Sequence, residues 1–251
     1  MMKKKINTFL EPILRVFTGV QILLNLLMIF AISAVYLYIT TQHVTTSLIV
    51  SFLTMFFSFY FLVFIPKKVK RENHLLKELQ KYATNVTFYL KSGYNVMKAL
   101  EGSKRNLDPE IQKDIDKTIQ ALKNEAKLDT NHFKKYRFYS IDVFHQILRI
   151  KYEKGGKSGD LFTKINQTIN FEIVKRDELY RKKLFAKRQI ALMMGMVLAL
   201  PIILVGFANE LYNTFLTLDI FSIGTIITTY ALVLISMFFL QRASAELSLQ
   251  L

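Results

Sequence analysis

Four long apolar runs constrain this chain more than any other feature of its sequence. They are Val20–Ile39, Leu48–Ile65, Ile190–Phe207 and Ile220–Leu240, and none contains Asp, Glu, Lys or Arg. Each is close to the roughly 20 residues that an α-helix needs to cross the hydrocarbon core of a bilayer. Buried helices of a soluble protein are the alternative, but such helices usually keep a polar stripe. The sequence therefore predicts an all-α, polytopic membrane protein with four transmembrane helices.

The net charge of +15 is concentrated between the second and third apolar runs. Residues 67–187 hold 28 Lys and Arg against 15 Asp and Glu. By contrast, Thr40–Ser47 has no formal charge and Asn209–Asp219 carries only two acids. Basic segments that flank membrane spans stay in the cytoplasm. We therefore predict that both termini and the basic segment are cytoplasmic and that two short loops lie outside.

These patterns divide the chain into three predicted domains. They are an N-terminal segment with a transmembrane hairpin (1–66), a cytoplasmic helical bundle (67–187) and a C-terminal transmembrane hairpin (188–251). Apolar residues at helical spacing predict five helices in the bundle. Their predicted extents are about Glu72–Leu90, Asn95–Lys104, Asp108–Ala126, Asn131–Lys151 and Asp160–Lys187.

Local signals place the ends of several of these helices. Gly93 suits a left-handed residue after the first helix. Asp108 suits an N-cap, with Pro109 in the first turn. The inward-facing residues of the last helix are predicted to be Leu161, Ile165, Ile169, Ile173, Leu179 and Leu184. Acid–base pairs at i,i+4 are predicted on its outer face: Glu172/Arg176, Asp177/Arg181 and Glu178/Lys182.

No segment carries a convincing catalytic or metal-binding pattern. The run Gly155–Gly159 contains Gly-Lys-Ser, but a phosphate-binding loop needs Gly where position 151 is Lys, and it follows a strand. We therefore predict a tight turn between helices there. The chain has no Cys, and its four His lie in different predicted elements, with His145 expected to be packed. No cofactor, metal or enzymatic activity is predicted.

The apolar runs also lack ionisable groups, which argues against transport because transporters place charged residues inside the membrane. A small membrane channel or transporter subunit is the alternative function. Within the runs, Asn25 is expected to hydrogen-bond between helices and Pro201 to kink the third span.

The basic surface has three interpretations. In the first it follows from topology alone and attracts anionic lipid headgroups, and in the second it docks an acidic protein partner. Nucleic acid is the third, but no recognition motif or aromatic platform supports it, and no nucleic-acid partner is expected.

The segment from Leu75 to Val205 resembles the F-domain (platform) proteins of type II secretion and type IV pilus machines, most closely the Tad-type pilus assembly membrane proteins. A turn at Ser92-Gly93-Tyr94 precedes a helix with Ala99-Leu100. A second turn, Glu153–Asp160, precedes Leu161, and the basic stretch Lys175–Lys187 leads to a span with Pro201. This chain has one such module, and Lys127–Asn131 lacks the Gly that related turns often contain, so the geometry of that turn is open.

The resemblance implies a non-enzymatic platform in the bacterial cytoplasmic (inner) membrane. Such a protein couples a secretion-type hexameric ATPase to pilin subunits, and a second F-domain protein or a second copy of the chain is an expected partner. Residues expected to face the ATPase or another partner are Gly93, Lys98, Gly155, Gly156, Lys157, Gly159, Lys175, Arg176, Arg181, Lys182 and Lys183.

Overall fold

The structure is a computed structural model, which describes residues 17–156 and 159–245. Its α-helices are α1 (Gly19–Thr41), α2 (Val44–Ser58), α3 (Ile65–Lys91), α4 (Val96–Ser103), α5 (Pro109–Glu125), α6 (Tyr139–Lys154), α7 (Gly159–Phe207), α8 (Asn209–Leu216) and α9 (Ile220–Ala245). A π-helical turn spans Phe59–Phe64 and a 3-10 helix spans Asn131–Tyr136. No strand occurs in the described ranges, and the all-α prediction is confirmed.

Four helices are long and apolar enough to cross a membrane: Gly19–Thr41, Val44–Lys91, Gly159–Phe207 and Ile220–Ala245. Each of them contains one of the apolar runs that the sequence predicted as spans. The chain is therefore a multi-pass, all-α membrane protein.

The fold divides into two compact units. The helical unit is Lys70–Leu179, and the membrane unit is made of the described residues within 1–69 and 180–251. Lys157, one of the predicted partner-facing residues, lies outside the described residues, as do the two chain ends at 1–16 and 246–251.

Tyrosine hydroxyls tie the helices of the membrane unit together. Tyr230 of α9 donates to Ser33 Oγ of α1 at 3.1 Å, and its ring stacks on Tyr36 with centroids 5.5 Å apart. Tyr212 of α8 donates to the carbonyl oxygen of Thr40 at the end of α1. Polar groups in a bilayer have no water to bond with, so they pair with other protein groups. These bonds therefore fix α1 against α8 and α9.

The second span differs from its prediction at its C-terminal end. The apolar run was predicted to end at Ile65 and the first helix of the bundle to begin near Glu72, but the chain stays helical from Val44 to Lys91, through Pro66. In an α-helix a proline ring clashes with the carbonyl four residues earlier. The π-helical turn Phe59–Phe64 lies immediately before Pro66. A wider turn at this point gives the ring room, so the helix is not broken.

The helical unit has one apolar core, formed by the faces of α3 to α7 that the periodicity predicted. Its largest fully buried side chains are Tyr82, Phe133, Phe138, Phe144, Phe162, Leu79, Leu100, Ile111, Ile115 and Ile141. Leu161, which was predicted to face inward, is instead exposed, and so is Ala126 at the end of the predicted helix Asp108–Ala126. Phe162 is buried in place of Leu161, so the inward face of α7 begins one residue later than the pattern suggested.

The predicted helix Asn131–Lys151 is divided into the 3-10 helix and α6. Arg137 separates the two, with a left-handed φ of 49°. On one continuous α-helix Phe133 and Phe138 would point about 140° apart. The break turns both rings into the core, where each is 1% exposed.

The turn after α5 has the left-handed geometry that usually favours glycine, but without a glycine. Ala126 adopts φ 50° as the C-cap of α5. The next turn is closed by Asp129, whose Oδ1 accepts a hydrogen bond from the backbone N of Asn131 at 3.0 Å. An Asx-type turn of this kind replaces a backbone turn. The turn is thus closed locally without a glycine.

Candidate functional site

The turn at Gly93 forms a complete Schellman motif at the end of α3. The backbone N of Tyr94 donates to the carbonyl of Tyr89 at 3.1 Å, and that of Gly93 donates to the carbonyl of Leu90 at 3.2 Å. Gly93 has φ 86°, as predicted, and the rings of Tyr89 and Tyr94 pack with centroids 5.6 Å apart. This is the bonding pattern and apolar contact that define the motif. It sets the direction in which the chain enters α4.

We expect Gly93→Ala to destabilise the helical unit by about 1–2 kcal/mol, because a β-carbon is strained at a left-handed φ. Gly93→Asn should cost less, since Asn tolerates this conformation better than Ala. Gly159→Ala is the matched control, because no atom lies within 4 Å of the position its β-carbon would take and its φ is not left-handed. Thermal unfolding of the full chain in detergent should rank Gly93→Ala below Gly93→Asn, with the control near wild type; the reverse order would contradict the motif.

Asp108 connects the start of α5 to α3. Its side chain caps the helix by accepting from the backbone N of Glu110 at 3.0 Å, which confirms the predicted N-cap. Arg71 donates to it from Nη1 at 2.6 Å and from Nη2 at 2.9 Å, and Nε2 of His74 lies 3.2 Å from its Oδ2. The Arg71 hydrogen bonds keep the pKa of the Asp108 carboxyl below its ordinary value, and burial opposes them. The backbone N of Asp108 is held in turn by Glu78, at 2.8 Å.

Asp114 is a second anchoring carboxylate, 1% exposed, on the inner face of α5. It accepts from Lys135 at 2.7 Å, from the Tyr136 hydroxyl at 2.7 Å and from Lys117 at 3.1 Å. Burial acts to raise the pKa of Asp114, but these hydrogen bonds outweigh it and the pKa lies below its usual value. The group is thus a stable carboxylate that fastens the 3-10 helix to α5. Nothing in this geometry leaves it available as an acid or base.

Glu172 is the third anchoring carboxylate, and its position on α7 differs from the prediction. Glu172 was expected on the outer face of α7, but it is buried at 4% exposure and accepts from Ser140 and from Arg176 Nη2 at 2.8 Å. The side chain of Arg176 is 14% exposed, with its guanidinium over the ring of Phe138. This arginine, predicted to face a partner, is therefore held at the edge of the core.

The predicted pair Glu172/Arg176 is confirmed, whereas Asp177 has a partner other than Arg181. Asp177 pairs with Lys77 of α3 at 2.8 Å, and Glu178 accepts from Lys175 at 3.2 Å. A similar bond runs from Asn166 Nδ2 to Thr87 Oγ1 at 2.6 Å. Asn166 contacts Thr87 and the later residue Asp177 contacts the earlier residue Lys77, so α7 and α3 pack antiparallel. Asp177, which a helix-only rule pairs with Arg181, thus links two neighbouring helices.

Most of the remaining predicted partner-facing residues are on the surface. Those exposed in the helical unit are Gly93, Lys98, Gly155, Gly156, Gly159 and Lys175. Gly155 and Gly156 follow α6 and have positive φ values of 69° and 79°, which suit the start of the predicted turn. Arg181 and Lys182 are exposed and Lys183 is half-buried, and all three belong to the membrane unit.

An apolar surface on α7 was not predicted from the sequence. Phe171 and Val174 are 60% and 59% exposed, and the ammonium of Lys175 lies 5.8 Å from the centre of the Phe171 ring. The sequence contained a signal for this surface. Phe171 and Val174 are apolar residues three positions apart that lie outside the core stripe of Ile169 and Ile173. Such exposed apolar residues beside a cation are typical of protein interfaces.

The structure also places the two residues singled out within the spans. Asn25 was expected to bond between helices, but its amide donates to the carbonyl oxygen of Gln21 in the same helix at 2.6 Å. Pro201 lies inside α7, which is helical on both sides of it. The apolar stretch of α7 that contains Pro201 buries no residue, whereas 33% of the corresponding stretch of Val44–Lys91 is buried.

His145 is a core residue, as predicted. It is 3% exposed, and its Nε2 lies 3.2 Å from the hydroxyl of Tyr82. Within residues 17–156 and 159–245, no group of three or more His, Asp or Glu side chains is arranged to hold a metal ion.

No protein-family model, no curated protein and no solved structure matches this chain.

Proposed function

We propose that this protein is the membrane platform of a Tad-like type IV pilus or a type II secretion-like machine in the bacterial cytoplasmic membrane. It couples a cytoplasmic hexameric ATPase to pilin subunits and catalyses no reaction itself. The ATPase binds the helical unit together with Arg181 and Lys182 of α7, and both chain termini lie on the same side of the membrane as that unit. A second F-domain protein, or a second copy of this chain, completes the platform.

The observation that carries the proposal is α7. This one helix includes the basic and apolar surface at Phe171–Lys175 and an apolar span without a single buried residue. A span that is apolar on all sides and has no buried residue leaves most of its surface for lipid or another apolar helix. A pilin presents such a helix while it is still in the membrane. One continuous helix therefore supplies a surface for a motor and a surface for its cargo.

The turn at Gly93 gives further support. The resemblance rests on a turn with glycine followed by a helix whose Ala-Leu pair packs inward. Here the Schellman motif leads into α4, where Ala99 and Leu100 are fully buried. Gly93 and Lys98 remain exposed on the outside of this corner. The corner is thus a rigid, basic projection that suits contact with an acidic protein surface.

Co-purification from the native host tests the proposal directly. The full-length protein carries an affinity tag, the membranes are solubilised gently, and the bound proteins are identified by mass spectrometry. A hexameric ATPase of the secretion type, a pilin or a second F-domain chain is the expected result. If several detergents yield none of these and a solute-binding or signalling protein appears, the platform function is wrong.

Charge reversal then locates the ATPase contact. We expect Arg181→Glu with Lys182→Glu to weaken ATPase recruitment about tenfold, because each removes an attraction and adds a repulsion at an exposed position. Lys183 is left unchanged because its ammonium bonds the carbonyl oxygen of Ala243 within the membrane unit.

The matched control is Arg105→Glu with Lys113→Glu, which changes the net charge equally at two exposed positions of the helical unit. Binding is measured by pull-down of the purified ATPase on nanodiscs that hold each variant. Equal losses in both double variants would mean that only overall charge matters, and unchanged binding in the first would remove this part of α7 from the contact.

A further inference from the structure

A short helix, α8, connects the third and fourth spans where the sequence predicted only a loop. It begins at Asn209, two residues after α7 ends at Phe207, and it ends at Leu216, four residues before α9 begins at Ile220. A stretch of four residues reaches at most about 14 Å when fully extended. These connections are too short to carry α8 away from the spans, so it lies at the level where the third span ends and the fourth begins.

The sequence of α8 divides the helix into an apolar half and a polar half. Its apolar and aromatic residues recur at i, i+1, i+4 and i+5, so they share one half of the helix surface. They are Leu211, Tyr212, Phe215 and Leu216. The polar residues occupy the other half, and all of them are exposed: Asn209, Glu210, Asn213 and Thr214. The helix is therefore amphipathic about its long axis.

Tyr212 fixes the rotation of α8 against the rest of the membrane unit. It is 4% exposed, and its hydroxyl donates to the carbonyl oxygen of Thr40 at the end of α1. Its ring also packs on that of Phe215, with centroids 6.0 Å apart. Successive residues of an α-helix lie 100° apart, so Leu211 is on one flank of Tyr212 and Asn213 is on the opposite flank. The Leu211 flank is apolar, yet this side chain is 74% exposed.

Leu211 belongs to a group of exposed apolar side chains at this end of the spans. A single exposed leucine is ordinary. Here, however, Phe207 before α8 is 91% exposed, and Ile220 and Phe221 after it are 84% and 76% exposed. Exposed apolar surface of this extent marks a contact with a membrane or with another protein. Because it continues the apolar surface of two spans, the acyl chains of the bilayer are the neighbours that its position favours.

We propose that α8 lies in the plane of the membrane interface, with Leu211 among lipid acyl chains and Asn213 among hydrated headgroups. Amphipathic helices of this kind bury their apolar face roughly 5–10 Å into the boundary between headgroups and acyl chains. Tyrosine is enriched at the same level of a bilayer, and Tyr212 ties α8 to α1 there.

The lipid is recognised through its acyl chains and not through headgroup charge. Residues 189–241 contain no Lys or Arg that could attract an anionic headgroup. The contact requires only that the protein spans a membrane, whatever filament or secretion process it serves.

Fluorescence quenching in the full-length protein tests this position, because the chain contains no Trp and an introduced one reports its own depth. Leu211→Trp and its matched control, Asn213→Trp, are reconstituted in phosphatidylcholine vesicles that carry bromine at a shallow or a deep acyl carbon. Shallow bromine should quench Leu211→Trp about twofold or more and leave Asn213→Trp nearly unchanged. Aqueous iodide should quench only Asn213→Trp. Met196→Trp, at a position 68% exposed within the third span, should be quenched most by the deep bromine.

Every other pattern overturns the proposal. Quenching of Leu211→Trp by iodide and not by bromine would place this flank of α8 in water. Protection from both quenchers would mean that a second copy of the chain covers it. Equal bromine quenching of Leu211→Trp and Asn213→Trp would mean that α8 is immersed on all sides.

A nitroxide label gives an independent measurement, because the chain also has no Cys. Labelled Leu211→Cys should be more accessible to oxygen than to a water-soluble nickel complex, and labelled Asn213→Cys should show the reverse order. The same order at both positions would contradict the amphipathic placement. Far-UV circular dichroism of each variant confirms that it is folded.

Discussion

Acidification from pH 6.5 to pH 5 is expected to destabilise the helical unit, and His145 should account for a slope of about 1.4 kcal/mol per pH unit. Burial lowers the pKa of His145 to about 3, and the nearby charges of His132 and Arg149 act in the same direction. In the unfolded chain the pKa of a histidine is about 6.5. Between these two values the unfolded state binds a proton that the folded state excludes. Stability is therefore complete above about pH 6.5 and declines as the pH falls towards 3.

The measurement is the pH dependence of hydrogen exchange in α5 and α6 of the full-length protein, corrected for intrinsic exchange. His145→Phe should flatten the slope between pH 6.5 and pH 5. Its absolute stability is not the criterion, because the Tyr82 hydroxyl loses its partner in this variant. His43→Phe, at an exposed position of the membrane unit, is the control and should keep the wild-type slope. An unchanged slope in His145→Phe would mean that another group causes the acid sensitivity.

Phe133→Ala is expected to destabilise the helical unit by about 3–5 kcal/mol, the usual cost of removing a fully buried aromatic ring. Phe133 is 1% exposed and contacts aromatic rings on three sides. Its ring is nearly parallel to that of Tyr82 at 5.6 Å and lies 4.6 Å from His145 and 6.2 Å from Tyr136. Its loss would leave a cavity between the 3-10 helix, α3 and α6.

Chemical unfolding monitored by hydrogen exchange of α3 and α6 provides the test, with Phe133→Leu as the graded variant. Leu retains part of the apolar volume and should cost less than Ala. Tyr139→Ala, six residues later at 70% exposure, is the control and should stay within about 0.5 kcal/mol of wild type. A small effect of Phe133→Ala would mean that neighbouring side chains refill the space.

The fold was predictable from the sequence wherever a signal is local. The apolar runs, the left-handed glycine at Gly93 and the N-cap at Asp108 each depend on a few adjacent residues, and all are confirmed. Predictions failed where distant residues decide. Glu172 is buried because Ser140 and Arg176 satisfy it there, and no rule for an isolated helix includes Ser140. The i,i+4 rule gave the pair Glu172/Arg176 correctly but not the partner of Asp177, which is Lys77 because α7 packs on α3.

The candidate surfaces were predictable only in part. The spacing of glycines and lysines indicated the turns at Gly93 and at Gly155–Gly156, because turns and exposed charges depend on a few adjacent residues. The partner-facing roles themselves stay predictions until binding is measured.

The unpacked apolar stretch of α7 makes mutational tolerance informative in this protein. Because none of its residues is buried by the rest of the chain, exchanging one apolar side chain for another there has little effect on the folding of an isolated subunit. Intolerant positions found by a saturation scan in the native host would therefore report contacts made with other molecules. A periodic pattern of intolerance would mark the face of the helix that meets a neighbour, and uniform tolerance would mark a span surrounded by lipid alone.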